Sequence, residues 1–191
     1  MRSTIVACAV LGGLLFGCAA PRAVTHGELA FAVSPPALRM GETRVLGRGV
    51  DPLVPLTASV SAGSVAVTFG RQGATTEVRL DPESMDTMDR TELPGAARGR
   101  QRDGVARVFL HGGAFVECSR RGSVEEGHRA VAQAFSAAGA PIGAPVELSA
   151  PEEDVIAAPR AASADGRRVL ATFTVVHGQK FEVVAVPLEI L

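Results

Sequence analysis

The chain has 191 residues, of which 47% are hydrophobic and 20% charged, and its formal net charge is −1. Such a composition is that of ordinary globular protein, one domain or a short repeat array by length, and not of a disordered tail. It carries no basic excess for neutralising phosphates, so no nucleic-acid partner is expected; with neither Trp nor Tyr, the aromatic stacking used on bases and sugars is left to eight Phe.

In chain order, Arg2 and the α-amino group form a short positive region, and Ile5 to Phe16 is uncharged and largely apolar. A membrane-spanning helix needs roughly 18 or more apolar residues, and Pro21 and Arg22 end this run too early. The segment therefore reads as a targeting peptide that is removed. Cleavage after Ala20 at a small-x-small site would leave Pro21 beyond the scissile bond, where its fixed φ and missing N–H suit cleavage poorly. The alternative site is Leu15-Phe16-Gly17-Cys18.

These four residues resemble the lipobox of bacterial lipoprotein precursors, although Phe16 stands where a small residue is usual. The resemblance implies cleavage before Cys18, diacylglycerol on its thiol and an acylated new N-terminus. Ala19 rather than Asp after the Cys implies, within that family, sorting to the outer membrane of a Gram-negative bacterium. In an ordinary signal peptide Cys18 would be one more apolar residue. A triacylated Cys18 would hold the protein on the membrane lipid with no spanning segment, since two or more chains give stable anchoring. Removing residues 1–17 from the 191 leaves 174 and takes the charge from −1 to −2. With Cys8 removed and Cys18 lipidated, Cys118 is alone, and no intramolecular disulfide is expected.

Residues 18–26 read as a tether, and 27–191 as one antiparallel β domain. Leu29, Phe31 and Val33 alternate within Gly27–Ser34 until Pro35-Pro36 stops the strand, and Thr43–Leu46 is a short second strand. Leu56–Ser61, a turn at Ala62-Gly63 and Ser64–Phe69 form a hairpin that continues into Thr75–Leu80. Asp81–Gly104 begins acidic, ends basic and has no period, so it is expected as a long flexible loop.

Val105–Leu110, a turn at His111-Gly112-Gly113 and Ala114–Ser119 form a second hairpin, with Ala106, Val108, Leu110, Ala114, Val116 and Cys118 on its inner face. Residues 123–139 carry two signals. Ser123 with Glu126 fits a capping box and Gly139 a helix stop, while Arg129–Phe135 alternates toward a turn and a strand at Pro145–Leu148; the strand is favoured. Pro159–Ala164, Arg167–Val176 and Lys180–Leu188 form the third set, joined by turns at Asp165-Gly166 and His177-Gly178.

The three sets repeat. Pro55 and Pro159 align at an offset of 104, which superposes Ala58 on Ala162, Ser59 on Ser163, Val65 on Val169, Thr68 on Thr172 and Phe69 on Phe173, with Phe115 about halfway. A period near 50 residues is in the range of propeller blades. The pattern of strand, Gly turn, strand, loop, strand, Ala-Gly-x-Pro-x-Gly and strand resembles blade repeats of secreted bacterial β-propellers, which implies an all-β fold of antiparallel, blade-like sheets. A single β-sandwich of the same hairpins is the alternative.

Candidate chemistry is sparse. His111-Gly112-Gly113 resembles the oxyanion loop of lipases and esterases, but no G-x-S-x-G elbow accompanies it, so a glycine turn is expected. Glu125-x-x-His128 lacks the further ligands that a metal needs, and no metal or other cofactor is implied. Cys118 falls on an inner face, where a thiol behaves as a small hydrophobe. Arg90, Arg98, Arg100 and Arg102 are candidate contacts for an anionic envelope polymer, because guanidinium pairs bidentately with such groups, or else solvated loop charges. The reading is an exported, lipid-anchored envelope protein that is a non-enzymatic binding or assembly module, with an envelope protein or anionic polymer as partner. The alternative is an enzyme or enzyme accessory at the same membrane.

Overall fold

The computed structural model describes residues 36–95, 98–99 and 104–191. The expected signal peptide, Cys18, the tether, the Gly27–Ser34 strand, Arg100 and Arg102 lie outside the described residues. Among the described residues the regular structure is fifteen strands and one short 3-10 turn, and no helix is long and apolar enough to cross a membrane.

Strands β1 (Leu38–Met40) and β2 (Arg44–Arg48) are followed by β3 (Val50–Asp51), β4 (Thr57–Ser61), β5 (Ser64–Arg71), β6 (Ala74–Leu80) and β7 (Thr87–Leu93). The next group is β8 (Ala106–Phe109), β9 (Phe115–Ser123), β10 (Gly127–Phe135) and β11 (Pro141–Glu147). The last is β12 (Asp154–Val155), β13 (Arg160–Ala162), β14 (Arg168–His177) and β15 (Lys180–Ile190). They form three antiparallel sheets. In the first, β4-β5-β6-β7 run as a meander with β3 beside the far end of β5; the second is the meander β8-β9-β10-β11. Four strands in this order are the plan of a propeller blade. The third sheet centres on the β14–β15 hairpin, with β12 and β13 along β14 and the N-terminal strands β1 and β2 along β15.

Turn chemistry fixes the register of the first sheet. Ala62-Gly63 and Gln72-Gly73 have φ of 49°, 78°, 50° and 81°, the type I′ geometry whose twist matches paired strands. Ser61 thereby meets Ser64, and Arg71 meets Ala74.

The third sheet is buried on both faces, which is why β14 reads as the nearly continuous apolar run Val169–Val176. Val169, Ala171, Phe173 and Val175 pack with Val116, Cys118, Ala130, Ala132 and Ala134 of the second sheet. Leu170, Val183 and Ala185 on the opposite face pack with Leu56, Val65, Val67, Phe69, Val78 and Leu80 of the first. The fold is therefore all-β, with three packed sheets where a single sandwich has two. Each of the three sequence repeats supplies the centre of one sheet, the third sheet also taking in β1 and β2, and β13 lies against both β4 and β8.

Two segments illustrate how local signals were resolved. The Ser123–Glu126 pair is not a helix cap: Ser123 Oγ accepts the Glu126 N–H at 3.2 Å inside the turn of the β9–β10 hairpin, where Ser123 pairs with Gly127. The same side chain-to-backbone bond serves turns and helix starts alike. The long loop expected over 81–104 is also corrected. Thr87–Leu93 pairs with β6 from Leu80 to Thr75 as an edge strand exposed along its whole length. With water on both faces it needs no apolar alternation, so it left no periodic signal.

Candidate functional site

Among the described residues a cleft lies where the third sheet meets the β6–β7 connection. β15 is too long for one partner: β1 pairs with Leu188–Ile190 and β2 with Glu182–Ala185. The chain between, Gly41–Thr43, steps over Pro187. Gly41 N–H donates to the Pro187 carbonyl at 2.8 Å, and a Cβ at Gly41 would stand 2.6 Å from Pro187 Cγ. Only glycine permits that crossing without displacement.

The opposite wall is the turn 81–86. Asp81 Oδ1 accepts the N–H groups of Glu83 at 2.9 Å and Ser84 at 2.7 Å, and the Asp81 carbonyl accepts Met85 N–H at 2.8 Å. Met85 has φ of 59°, a costly conformation for a side chain of this kind, and its side chain is buried in the core between the first and third sheets. Two arginines pin the turn. Arg44 donates to the Met85 carbonyl and to Asp86 Oδ1, each at 2.6 Å, and Arg168 donates to the Glu83 carbonyl.

The resulting cleft has a volume of about 370 Å³. Met85 and Pro187 supply apolar surface, Met40 and Leu188 also line it, and Arg39, Arg44, Arg168, Glu42, Glu83 and Glu189 bring charge of both signs. The Arg39 guanidinium, bonded to Glu189, holds that carboxyl below its usual value. Arg44 does the same for Asp86, and the backbone N–H groups of Ser84 and Glu83 do so for Asp81. Arg168 donates to the Glu83 carbonyl, and its charge also helps to lower the carboxyls of Glu189 and Asp165.

The structure does not gather the arginines named from sequence. Arg90 is a β7 residue that donates to the Leu46 carbonyl at 2.7 Å, and Arg98 pairs with Asp51 at 3.3 Å. Their charges thus serve separate bonds, Arg90 to β2 of the third sheet and Arg98 to β3 of the first. Cys118 is fully buried on the inner face of β9, and burial pushes its thiol up to about 12, which leaves no thiolate for chemistry at neutral pH. His111-Gly112-Gly113 is the 3-10 turn after β8; His111 N–H donates to the Gly166 carbonyl at 2.7 Å. Glu125 is an exposed turn residue, whereas His128 N–H donates to Asp154 Oδ1 at 2.7 Å.

A second surface feature was also missed from sequence. Phe109, Phe115 and Phe135 stand opposite one another on β8, β9 and β10, on the face of the second sheet turned away from its core. Ring centroids are 5.3 Å apart for Phe109–Phe115 and 5.0 Å for Phe115–Phe135. Arg107, paired with Glu117, places its guanidinium 4.8 Å from the Phe115 centroid. Phe109 is 65% exposed and Phe115 only 8%. The signal was available: these three Phe fall out of phase with Val108, Val116 and Ala134, the inner-face positions.

No protein-family model matches the chain, and no curated protein matches it. Among solved structures the chain is similar to the crystal structure of a protein of unknown function from Dyadobacter fermentans DSM 18053, at 15% identity and a TM-score of 0.35. The match covers 71% of this chain and 38% of that one, so the chain spans well under half that protein's length. At that TM-score the likeness carries no weight for function.

Proposed function

We propose that this protein is a lipid-anchored, non-enzymatic binding module of the bacterial envelope, and that the cleft between Gly41 and Ser84 is its ligand site. The observation that carries the binding reading is the cleft itself. Charged side chains from β1, β14, β15 and the 81–86 turn converge over an apolar floor, the combination typical of small-ligand sites. The Leu15–Cys18 segment supports export and attachment through acylated Cys18, with the outer membrane of a Gram-negative bacterium as destination.

Two measurements test the proposal. Cys18→Ser is expected to abolish labelling by a fatty-acid analogue and to release the protein from membranes; equal labelling and fractionation would refute the anchor. Wild-type protein purified from its own membranes is expected to retain a small molecule that mass spectrometry detects on denaturation and that Arg168→Gln has lost. Identical profiles from the two proteins would refute the ligand site.

The row Phe109–Phe115–Phe135 favours a second reading, in which the module docks an envelope protein through the outer face of the second sheet. Phe109→Asp would then abolish assembly and leave the retained small molecule unchanged. An unaltered assembly profile for that variant would exclude this reading.

A further inference from the structure

We propose that the ligand of this cleft is a small zwitterion with an apolar body, of the α-amino-acid kind, an inference that rests on the cleft being a ligand site. The charges of the lining argue for it. A ligand bearing only an anion would meet Arg39 and Arg168 but also Glu42, Glu83 and Glu189; one bearing only a cation would meet the reverse. A zwitterion satisfies both signs at once.

The Arg39–Glu189 pair shows how. Its side chains are 63% and 38% exposed, so the pair is open to solvent and to a competing ligand. A ligand carboxylate can take the place of Glu189 on Arg39 while the ligand ammonium takes the place of Arg39 on Glu189. The exchange replaces one opposite-charge contact by two. Arg168, whose guanidinium bonds the Glu83 carbonyl and acts on the nearby Glu189, can add a charge-assisted bond to the ligand carboxylate. Arg44 is different: both of its bonds hold the 81–86 turn, and it remains a wall.

The apolar half of the ligand meets Pro187 and the edge of Met85, which lines the cleft although it is only 3% exposed. Thioether side chains adapt to different apolar shapes, which favours aliphatic bodies over one fixed outline. The volume, about 370 Å³, is near the lower end of small-molecule pockets and accommodates a whole amino acid.

The test is isothermal titration of the full chain in mild detergent with four probes: L-leucine, N-acetyl-leucine without the ammonium, leucinamide without the carboxylate, and glycine without the apolar body. L-leucine is expected to bind with a Kd of about 1 μM or tighter and each of the others at least about tenfold more weakly. Arg168→Gln and Glu189→Gln are each expected to weaken leucine at least about tenfold, and Arg98→Gln to leave it unchanged. Arg39→Gln, at an exposed position, gives the same loss without a risk to folding and stands in should Arg168→Gln unfold. If N-acetyl-leucine or leucinamide binds as well as leucine and still depends on Arg168 or Glu189, the cleft is a ligand site and the zwitterion is wrong. If no probe binds, or binding ignores all three substitutions, the zwitterion is again wrong; loss of the retained small molecule from Arg168→Gln then decides separately whether the cleft is a ligand site.

Discussion

Gly47 lies directly against the ring of Phe69: a Cβ at Gly47 would stand 2.4 Å from Phe69 Cε2 and 2.6 Å from Cζ. Gly47 is on β2, opposite Val183 at the irregular step in the β2–β15 pairing, and Phe69 is on β5 of the neighbouring sheet. Backbone of the third sheet and side chain of the first therefore pack without any atom to spare. Gly47→Ala is expected to destabilise the protein by about 1–3 kcal/mol, the usual cost of forcing extra atoms into a packed core. The urea midpoint should fall with an unchanged slope. A midpoint equal to wild type would show that the two sheets can separate at no cost.

Phe173 occupies in the third sheet the repeat position that Phe69 occupies in the first, and it is fully buried on the face that packs against the second sheet. Phe173→Ala is expected to cost about 3–5 kcal/mol, a large part of the ~5–15 kcal/mol that holds a domain together. Glu125→Ala, at an exposed turn residue, is expected to change stability by no more than about 0.5 kcal/mol. Equal midpoints for the two variants would contradict the core described here. Phe181 is only partly buried against the other face, so Phe181→Ala should cost less than Phe173→Ala.

Cys118 is expected to be inert in the native state. Its thiol is fully buried and pushed up to about 12 by that burial. A maleimide at neutral pH should label it only after addition of denaturant, at the rate of unfolding. Rapid native labelling at Cys118, located by peptide mapping, would show that the second and third sheets part in solution.

The fold was largely legible because the β14–β15 hairpin alternates strongly and glycine turns mark the hairpin ends. Repetition at an offset of 104 residues also anticipated one sheet per repeat, with Phe69 and Phe173 both in cores. Thr87–Leu93 was not legible, since a strand wet on both faces carries no apolar code. The cleft was not legible either. Its contacts join residues 42, 85 and 150 positions apart: Arg44 with Asp86, Arg168 with Glu83 and Arg39 with Glu189. No local pattern links such partners. The arginines that sequence did single out were chosen for clustering along the chain, and Arg90 and Arg98 turn out to have separate partners.

Acid is expected to loosen the cleft before the core. Asp81, Asp86 and Glu189 are all held below their ordinary values, by the N–H groups of Ser84 and Glu83, by Arg44 and by Arg39 respectively. A depressed folded-state value means that the stabilisation is present above the unfolded value and lost as pH falls through the folded one. The thermal midpoint should be level down to about pH 5 and should fall below the ordinary carboxylate range near ~4. Asp81→Asn should reduce that slope, because Asn cannot gain from ionisation. A midpoint that rises on acidification, or a slope unchanged by Asp81→Asn, would contradict this assignment.

Ligand binding at the seam between the third sheet and the 81–86 turn is tested most directly by following backbone amide chemical shifts as L-leucine is added to the full chain in detergent. The first and largest changes are expected at Gly41, Glu42, Ser84, Met85, Arg168 and Leu188, with Thr57 and Phe109 still. Changes confined to the Phe109–Phe115–Phe135 face, or none at all with leucine in excess, would contradict the cleft as the site and leave the outer face of the second sheet as the surface to pursue.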